Sequence, residues 1–265
     1  MGQDRLSELQ MTTAMGSTQI YQMPAMLGAL ARTFPGIRRS LSRWQAIQQA
    51  SHCRVDEVLF GFDADFMDRK RFVALAAGAI EAEEVTLAAQ MISTSDVVVE
   101  FGAGLGIAAA RVHKRCRPAR HICFEANPRC AAYSTPLFDQ NQMQIELVNK
   151  ALGNGQALAF YAMQDYILSS FDRPYAGADY TEIEVETVPL AQVLAEYRPD
   201  AVFCDIEGAE LAYFTAEDFS PVQKIIIELH PKSYGKSGLD EFIRRMQQHG
   251  FALTRRLKDT YCFVR

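Results

Sequence analysis

The sequence predicts an α/β fold, a mostly parallel sheet with helices on both faces, behind an N-terminal helical extension. Three observations carry this. From residue 95 onward, short apolar runs alternate with helical patterns, and that alternation marks βαβ units. Residues 96–106, Asp-Val-Val-Val-Glu-Phe-Gly-Ala-Gly-Leu-Gly, read as a buried strand ending in an acid, a tight glycine turn and the start of a helix. The last two apolar runs, near 251–255 and 259–264, are split by Lys258-Asp259 and read as a closing hairpin.

In the extension, residues 1–20 carry Met, Gln, Ser and Thr with little periodicity. Residues 21–52 read as helix, broken at Thr33-Phe34-Pro35-Gly36. Leu41, Trp44 and Ile47 fall three apart and give one apolar helix face, suited to packing on the chain's own core or on a partner subunit. Residues 55–92 read as two further helices. The expected division is a helical extension over 1–92, forming a substrate cap or a homodimer interface, and an α/β domain over 93–265.

Within that domain, strands are expected near 97–101, 121–125, 144–149, 157–162, 183–188, 200–205 and 223–229 before the closing hairpin. Helices are expected near 105–115, 128–138, 189–196, 208–214 and 238–249. The runs at 157–162 and 183–188 add a β excursion. Between them lies a polar, aromatic stretch with Tyr166, Ser170 and Tyr175, whose hydroxyls and ring faces suit a sugar or macrocycle and make it a substrate-lid candidate.

Composition bounds the function. Of 265 residues, 49% are hydrophobic and 22% charged, so the chain buries a real core. A net charge of −5 argues against a nucleic-acid binder that works by neutralising phosphates. The cations Arg111, Lys114, Arg115 and Arg117 follow the first core helix and read as a solvated helix end on the side its dipole favours. Six cysteines form no Cys-x-x-Cys and no zinc spacing, and Cys123 and Cys204 sit in apolar strands as buried thiols. With no apolar run of 18 residues and no signal peptide, a cytoplasmic protein without a transmembrane segment is expected.

The glycine turn accepts positive φ and lets a ligand approach the backbone, while the helix start offers unpaired N–H groups. A dinucleotide turn needs glycines at its first, third and sixth positions. Counted from Gly102, the sixth position is Ile107, which disfavours an NAD-dependent oxidoreductase. What remains is Glu100, Gly102, Gly104 and Gly106 at two-residue spacing. A second acid, Glu125, ends the next strand 19 residues after Gly106, where a carboxylate accepts hydrogen bonds from ribose hydroxyls.

These residues resemble the first motifs of class I S-adenosylmethionine-dependent methyltransferases, and further segments make the resemblance specific to the FkbM family. Phe124-Glu125-Ala126-Asn127-Pro128 resembles that family's Phe-Glu-Pro-Asn-Pro, with Ala126 in place of Pro. Asn149-Lys150-Ala151-Leu152-Gly153 is similar to its Asn-x-Ala-Leu-Gly, Asp205-Ile206-Glu207-Gly208-Ala209-Glu210 to its Asp-x-Glu-Gly-Ala-Glu, and Glu228-Leu229-His230 to its late Glu-x-His strand. Glu81, 19 residues before Glu100, stands where the family's Tyr-Glu segment leads into the first strand, with Ile80 in place of Tyr.

The resemblance implies a Rossmann-like class I methyltransferase sheet with an antiparallel last strand, S-adenosylmethionine as cofactor, and methyl transfer to a hydroxyl of a carbohydrate or secondary metabolite. The cofactor site it implies comprises Glu100, Phe101, Gly102, Ala103 and Gly104 at the methionine portion, Glu125 on the ribose, Ala126, Asn149 and Ala151 along the adenine, and Asp205 beside the methyl group. An alcohol must lose a proton, so a base helps. His230 is the first candidate and Asp205 the second, with Glu207, Ser170 and Tyr166 against the acceptor. Alternatively, Asp205, Glu207 and Glu228 hold a divalent cation that acidifies the hydroxyl. Glu210 reads as a helix-start acid, and His121 as a packing residue. A non-catalytic cofactor-binding scaffold is the remaining alternative.

Overall fold

The computed structural model describes residues 47, 49–163, 177, 179–215 and 218–265. The expected helices over 21–46 and the lid candidates Tyr166 and Ser170 lie outside the described residues. Residues 52–265 form one unit, distinct from residues 1–51.

The unit opens with a hairpin, β1 (His52–Val55) and β2 (Val58–Gly61), then α1 (Arg69–Ala76) and α2 (Ala82–Met91). Next come β3 (Val97–Phe101), α3 (Ile107–Cys116), β4 (Arg120–Phe124), α4 (Pro128–Gln140) and β5 (Ile145–Val148). Short strands follow: β6 (Ala151–Leu152), β7 (Leu158–Met163), β8 (Tyr180–Val185) and β9 (Thr187–Val188). The chain ends with α5 (Leu190–Tyr197), β10 (Ala201–Cys204), α6 (Glu210–Tyr213), β11 (Lys224–Glu228), α7 (Pro231–Gln248), β12 (Ala252–Leu257) and β13 (Thr260–Val264).

Seven strands make the main sheet, in the order β12-β13-β11-β10-β3-β4-β5. The five from β11 to β5 run parallel, while β13 pairs antiparallel with both β11 and β12. This is the expected sheet, closing hairpin included. Side chains alternate across it. Val99, Phe101, Val202, Cys204, Ile225 and Ile227 pack on one face with Val193 and Leu194 of α5 and Phe242 and Met246 of α7. Val98, Ala201, Phe203 and Ile226 pack on the other with Val85 and Ala88 of α2 and Val112 of α3. β7 and β8 form a separate antiparallel pair, the expected β excursion.

Two expectations about the extension are corrected. Residues 52–61 are a hairpin, not helix. Its turn is Asp56-Glu57, both at positive φ (48° and 67°), and neither residue signals that turn in sequence. Arg111 holds it from α3, with Nε 2.8 Å from Asp56 Oδ2. The boundary near residue 92 also moves, because α2 is part of the layer covering the sheet and the unit begins at His52. Gly235, non-helical at φ 71° and ψ 176°, kinks α7 into two helical pieces, so helix also occurs from Pro231, ahead of the expected 238.

Candidate active site

The strand order reverses beside β3. From β3 the chain steps outward to β4 and β5, then returns on the other side to β10 and β11. In open α/β sheets that reversal leaves a crevice at the carboxyl ends of the two central strands, where ligands bind. Here Phe101 leads into the glycine turn on one side and Cys204 into Asp205 on the other. Gly102, Gly104 and Gly106 all adopt positive φ (83°, 53° and 71°), so the turn needs glycine at these positions. The Gly102 amide donates to Phe124 O at 2.9 Å, and the Asp205 amide to Phe101 O at 2.9 Å, tying three strand ends together.

A cavity of about 540 Å³ opens over this crevice. That is in the range of small-molecule sites. Of the residues expected at the cofactor, Phe101, Gly102, Gly104, Glu125, Ala126, Ala151 and Asp205 line it, as does Glu207 from the expected acceptor side. Phe124 and Phe160 add ring surface, and Arg71, Ile80 and Glu81 come from the segment ahead of the sheet.

Glu125 organises the turn. Its Oε2 accepts from the Gly104 amide at 2.6 Å and its Oε1 from the Asn127 amide at 2.7 Å. Each oxygen keeps a lone pair for a ligand hydroxyl. Burial pushes this carboxyl up to about 7, against the pull of those two amides. Glu81, at the left-handed residue before α2 (φ 51°), has an Oε2 shut off from solvent without a hydrogen-bond partner. Burial, then the neighbouring Glu100 and Glu84, raise it to about 8. The loop that presents it is held by Arg111, which donates to Ile80 O and, at 3.3 Å, to Gly78 O.

Asp205 and Glu207 belong both to the cavity and to a polar cluster at the ends of β10 and β11. Glu207 sits at φ 54°, a strained position for a residue with a Cβ, and such strain gathers at functional sites. At the centre is His230. Its Nδ1 lies 2.9 Å from Oε1 of Glu210, which is fully buried and also accepts from the Gly208 amide at 2.9 Å. Its Nε2 faces Glu207 Oε2 at 3.5 Å, Asp205 Oδ1 at 3.7 Å and Glu228 Oε1 at 4.0 Å. Burial works against a charge on this ring, yet Glu210, Asp205 and Glu207 outweigh it and carry His230 to about 9. Burial and then Glu228 and Glu207 raise Asp205, and burial and then Glu84 bring Glu228 to about 7.

Several expected residues stand elsewhere. Glu100 is expected at the methionine portion, but it points to the opposite face of β3 from Phe101, and its Oε2 lies 3.0 Å from Nε2 of the fully buried His121. Strand alternation sends it there. Ala103 and Glu100 line a recess of about 10 Å³ behind the cavity, whose walls share Glu81, Phe101, Gly102 and Asp205 with it. Asn149 does not line the cavity. Its Nδ2 donates to Glu125 O at 2.7 Å and Ala126 O at 3.2 Å, so it clips the second acidic turn in place. Two groups escape the sequence reading, Glu210 as the partner of His230 and His121 as the partner of Glu100. For Glu210 the signal lies in the motif itself, whose third acid has a side chain that closes back on the strand that follows.

The chain matches the model of the methyltransferase FkbM domain over residues 96–253, more than half its length. No curated protein matches it. Among solved structures, a putative RNA methyltransferase from Pyrococcus horikoshii is 16% identical, covering 71% of this chain and 84% of that one, at a TM-score of 0.43. TYW2 from M. jannaschii, in complex with AdoMet, is 15% identical over 80% of this chain and 82% of that one, at a TM-score of 0.43. TrmK from M. capricolum, in complex with S-adenosyl-homocysteine, is 10% identical over 68% and 65%, at a TM-score of 0.39. Likenesses this distant say nothing of an acceptor.

Proposed function

The chain belongs to the FkbM family of methyltransferases, and from that premise we propose that it transfers a methyl group from S-adenosylmethionine to a hydroxyl of a carbohydrate or secondary-metabolite acceptor. One observation carries the reading: a single cavity joins a cofactor end, Gly102, Gly104 and Glu125, to an acidic floor, Asp205 and Glu207. The glycine turn and Glu125 suit the methionine and ribose portions. Phe124, Ala126 and Ala151 offer the apolar surface an adenine needs.

The acceptor oxygen attacks the methyl carbon in line with the departing sulfur. A C–O bond forms, the C–S bond breaks, and its electron pair neutralises the sulfonium. The protein's part is to align the two and exclude water. The hydroxyl proton must leave as well. His230, carried to about 9, holds its own proton at neutral pH and serves as counter-charge to the surrounding acids. The base role passes to Asp205, whose carboxylate is made more basic by burial and by the neighbouring Glu228 and Glu207. Arg71, Ile80 and Glu81 on the cavity wall support the segment ahead of the sheet as a side of the acceptor pocket. No helix among the described residues is long and apolar enough to cross a membrane.

The test is methyl transfer from radiolabelled S-adenosylmethionine to a panel of sugars and polyketides, with an amine panel as control. The expected product is a methyl ether, and Asp205→Ala lowers turnover by about 10²-fold while cofactor affinity stays within tenfold. Labelling of amines alone, or full turnover in the variant, overturns the reading.

A further inference from the structure

The carboxyl ends of β10 and β11 bring an imidazole and three carboxylates together at mutual distances longer than hydrogen bonds. Asp205, Glu228 and His230 each offer one ligand atom, and these atoms lie within 4.8 Å of one another. His230 Nε2 stands 3.7 Å from Asp205 Oδ1, 4.0 Å from Glu228 Oε1 and 3.5 Å from Glu207 Oε2. These separations exceed good hydrogen bonds. They are a few tenths of an ångström wider than the roughly 3.0–3.4 Å between neighbouring ligands that bonds of about 2.1 Å to one small cation would set, so a bound ion needs only a small inward movement of these donors.

Two observations outside this spacing point to a ligand. His230 is locked from behind by Glu210, whose Oε1 lies 2.9 Å from Nδ1 and whose side chain is fully buried. A carboxylate on the far nitrogen is the arrangement that fixes the tautomer and aim of metal-ligating imidazoles. In addition, Asp205 Oδ1, the oxygen turned toward Nε2, is shut off from solvent and has no hydrogen-bond partner. A buried acceptor left in that state costs free energy unless something satisfies it.

We propose that Asp205, Glu228 and His230, with Glu207 as a fourth donor from the cavity side, form a binding site for one divalent cation of the Mn²⁺ or Mg²⁺ class. Mixed carboxylate and imidazole donors suit such an ion better than the thiolate-selected metals. Its place is under the cavity floor, because Asp205 and Glu207 line both. The ion takes the place of the Nε2 proton that His230 otherwise carries, so it supplies the counter-charge to the acids, and it can hold the acceptor's oxygen. That use rests on the methyl-transfer reading above; the donor geometry does not.

The probe is Mn²⁺, titrated into the full chain after chelator treatment and followed by its EPR signal, with S-adenosylmethionine affinity measured on the same samples by calorimetry. The expected result is one tightly held Mn²⁺ per chain, displaced by excess Mg²⁺. His230→Ala and Glu228→Gln each weaken it more than tenfold, and Glu210→Ala weakens it by about 10–100-fold. Thermal unfolding confirms that each variant is folded, and Glu228→Gln, the smallest change, serves if His230→Ala is not. No stoichiometric Mn²⁺, or binding unchanged in folded variants, overturns the cation site. Cofactor binding without Mn²⁺ defeats this inference alone, whereas Mn²⁺ binding without cofactor binding defeats the methyl-transfer reading and leaves the site standing.

Discussion

Gly102 and Asp205 approach so closely that a Cβ on the glycine would lie 1.6 Å from the carbonyl oxygen of Asp205. The contact joins the ends of β3 and β10, the two strands between which the sheet's order reverses. It sets the glycine turn of the cofactor end directly against the acid of the reacting end. Gly102→Ala meets both this overlap and a φ of 83°. The expected cost is about 3 kcal/mol, with loss of cofactor binding. Urea unfolding and calorimetric titration check it, and a wild-type midpoint with wild-type affinity would falsify the role given to this contact.

Glu125 makes cofactor binding pH-dependent. Its carboxyl, raised by burial to about 7, must be ionised to accept two ribose hydroxyls. Protons therefore compete with the cofactor below about pH 7. Affinity for S-adenosylmethionine is expected to weaken about tenfold from pH 8 to pH 6 and to level off above pH 8. Titrations at pH 6, 7 and 8 measure this, and Glu125→Gln is expected to bind weakly with no such slope. An unchanged slope in the variant would assign the titration to another group.

Glu210 acts through His230. It is fully buried, and its Oε1 receives both the Gly208 amide and the imidazole. Glu210→Ala frees the ring and the turn together, so turnover is expected to fall by about 10–100-fold while cofactor affinity is retained. Glu210→Gln keeps an acceptor for the amide or the ring and is expected to recover part of that loss. The separation of kcat from cofactor Kd is the measurement; a variant that loses cofactor binding in step with turnover would make Glu210 structural.

Arg111 ties α3 to both the β1–β2 turn and the loop ahead of α2. Only 4% of it is exposed, and it bonds Asp56, Ile80 O and Gly78 O. Asp56 is partly open to water, so its removal costs less than a fully buried pair. Arg111→Ala is expected to lower stability by about 2–3 kcal/mol. Because Ile80 and Glu81 form part of the cavity wall, the change is also expected to weaken ligand binding. Denaturant unfolding with parallel cofactor titration tests both parts.

The order of the main elements was legible in the chain. Val97 to Phe101 before Gly102, and His121 to Phe124 before Glu125, carry the β-branched and apolar runs of buried strands, and both became neighbouring parallel strands in register. Local periodicity and glycine spacing suffice for this because strand, turn and helix start are decided within a few residues of sequence. The hairpin at 52–61 was not legible, because its positive-φ turn is Asp56-Glu57, with no glycine to mark it, and a partner that holds it, Arg111, is distant in sequence.

The site divides in the same way. The sequence by itself determined the family, the glycine turn, and the acids 100, 125, 205, 207, 210 and 228 that close its strands and motifs. Only the tertiary structure decided which way each acid faces. Alternation along β3 turned Glu100 away to His121, and the return of β11 beside β10 brought His230 onto Asp205, Glu207, Glu228 and Glu210. A side chain's partner across the sheet is set by strand order and pleat, which are properties of the assembled sheet and not of any one segment.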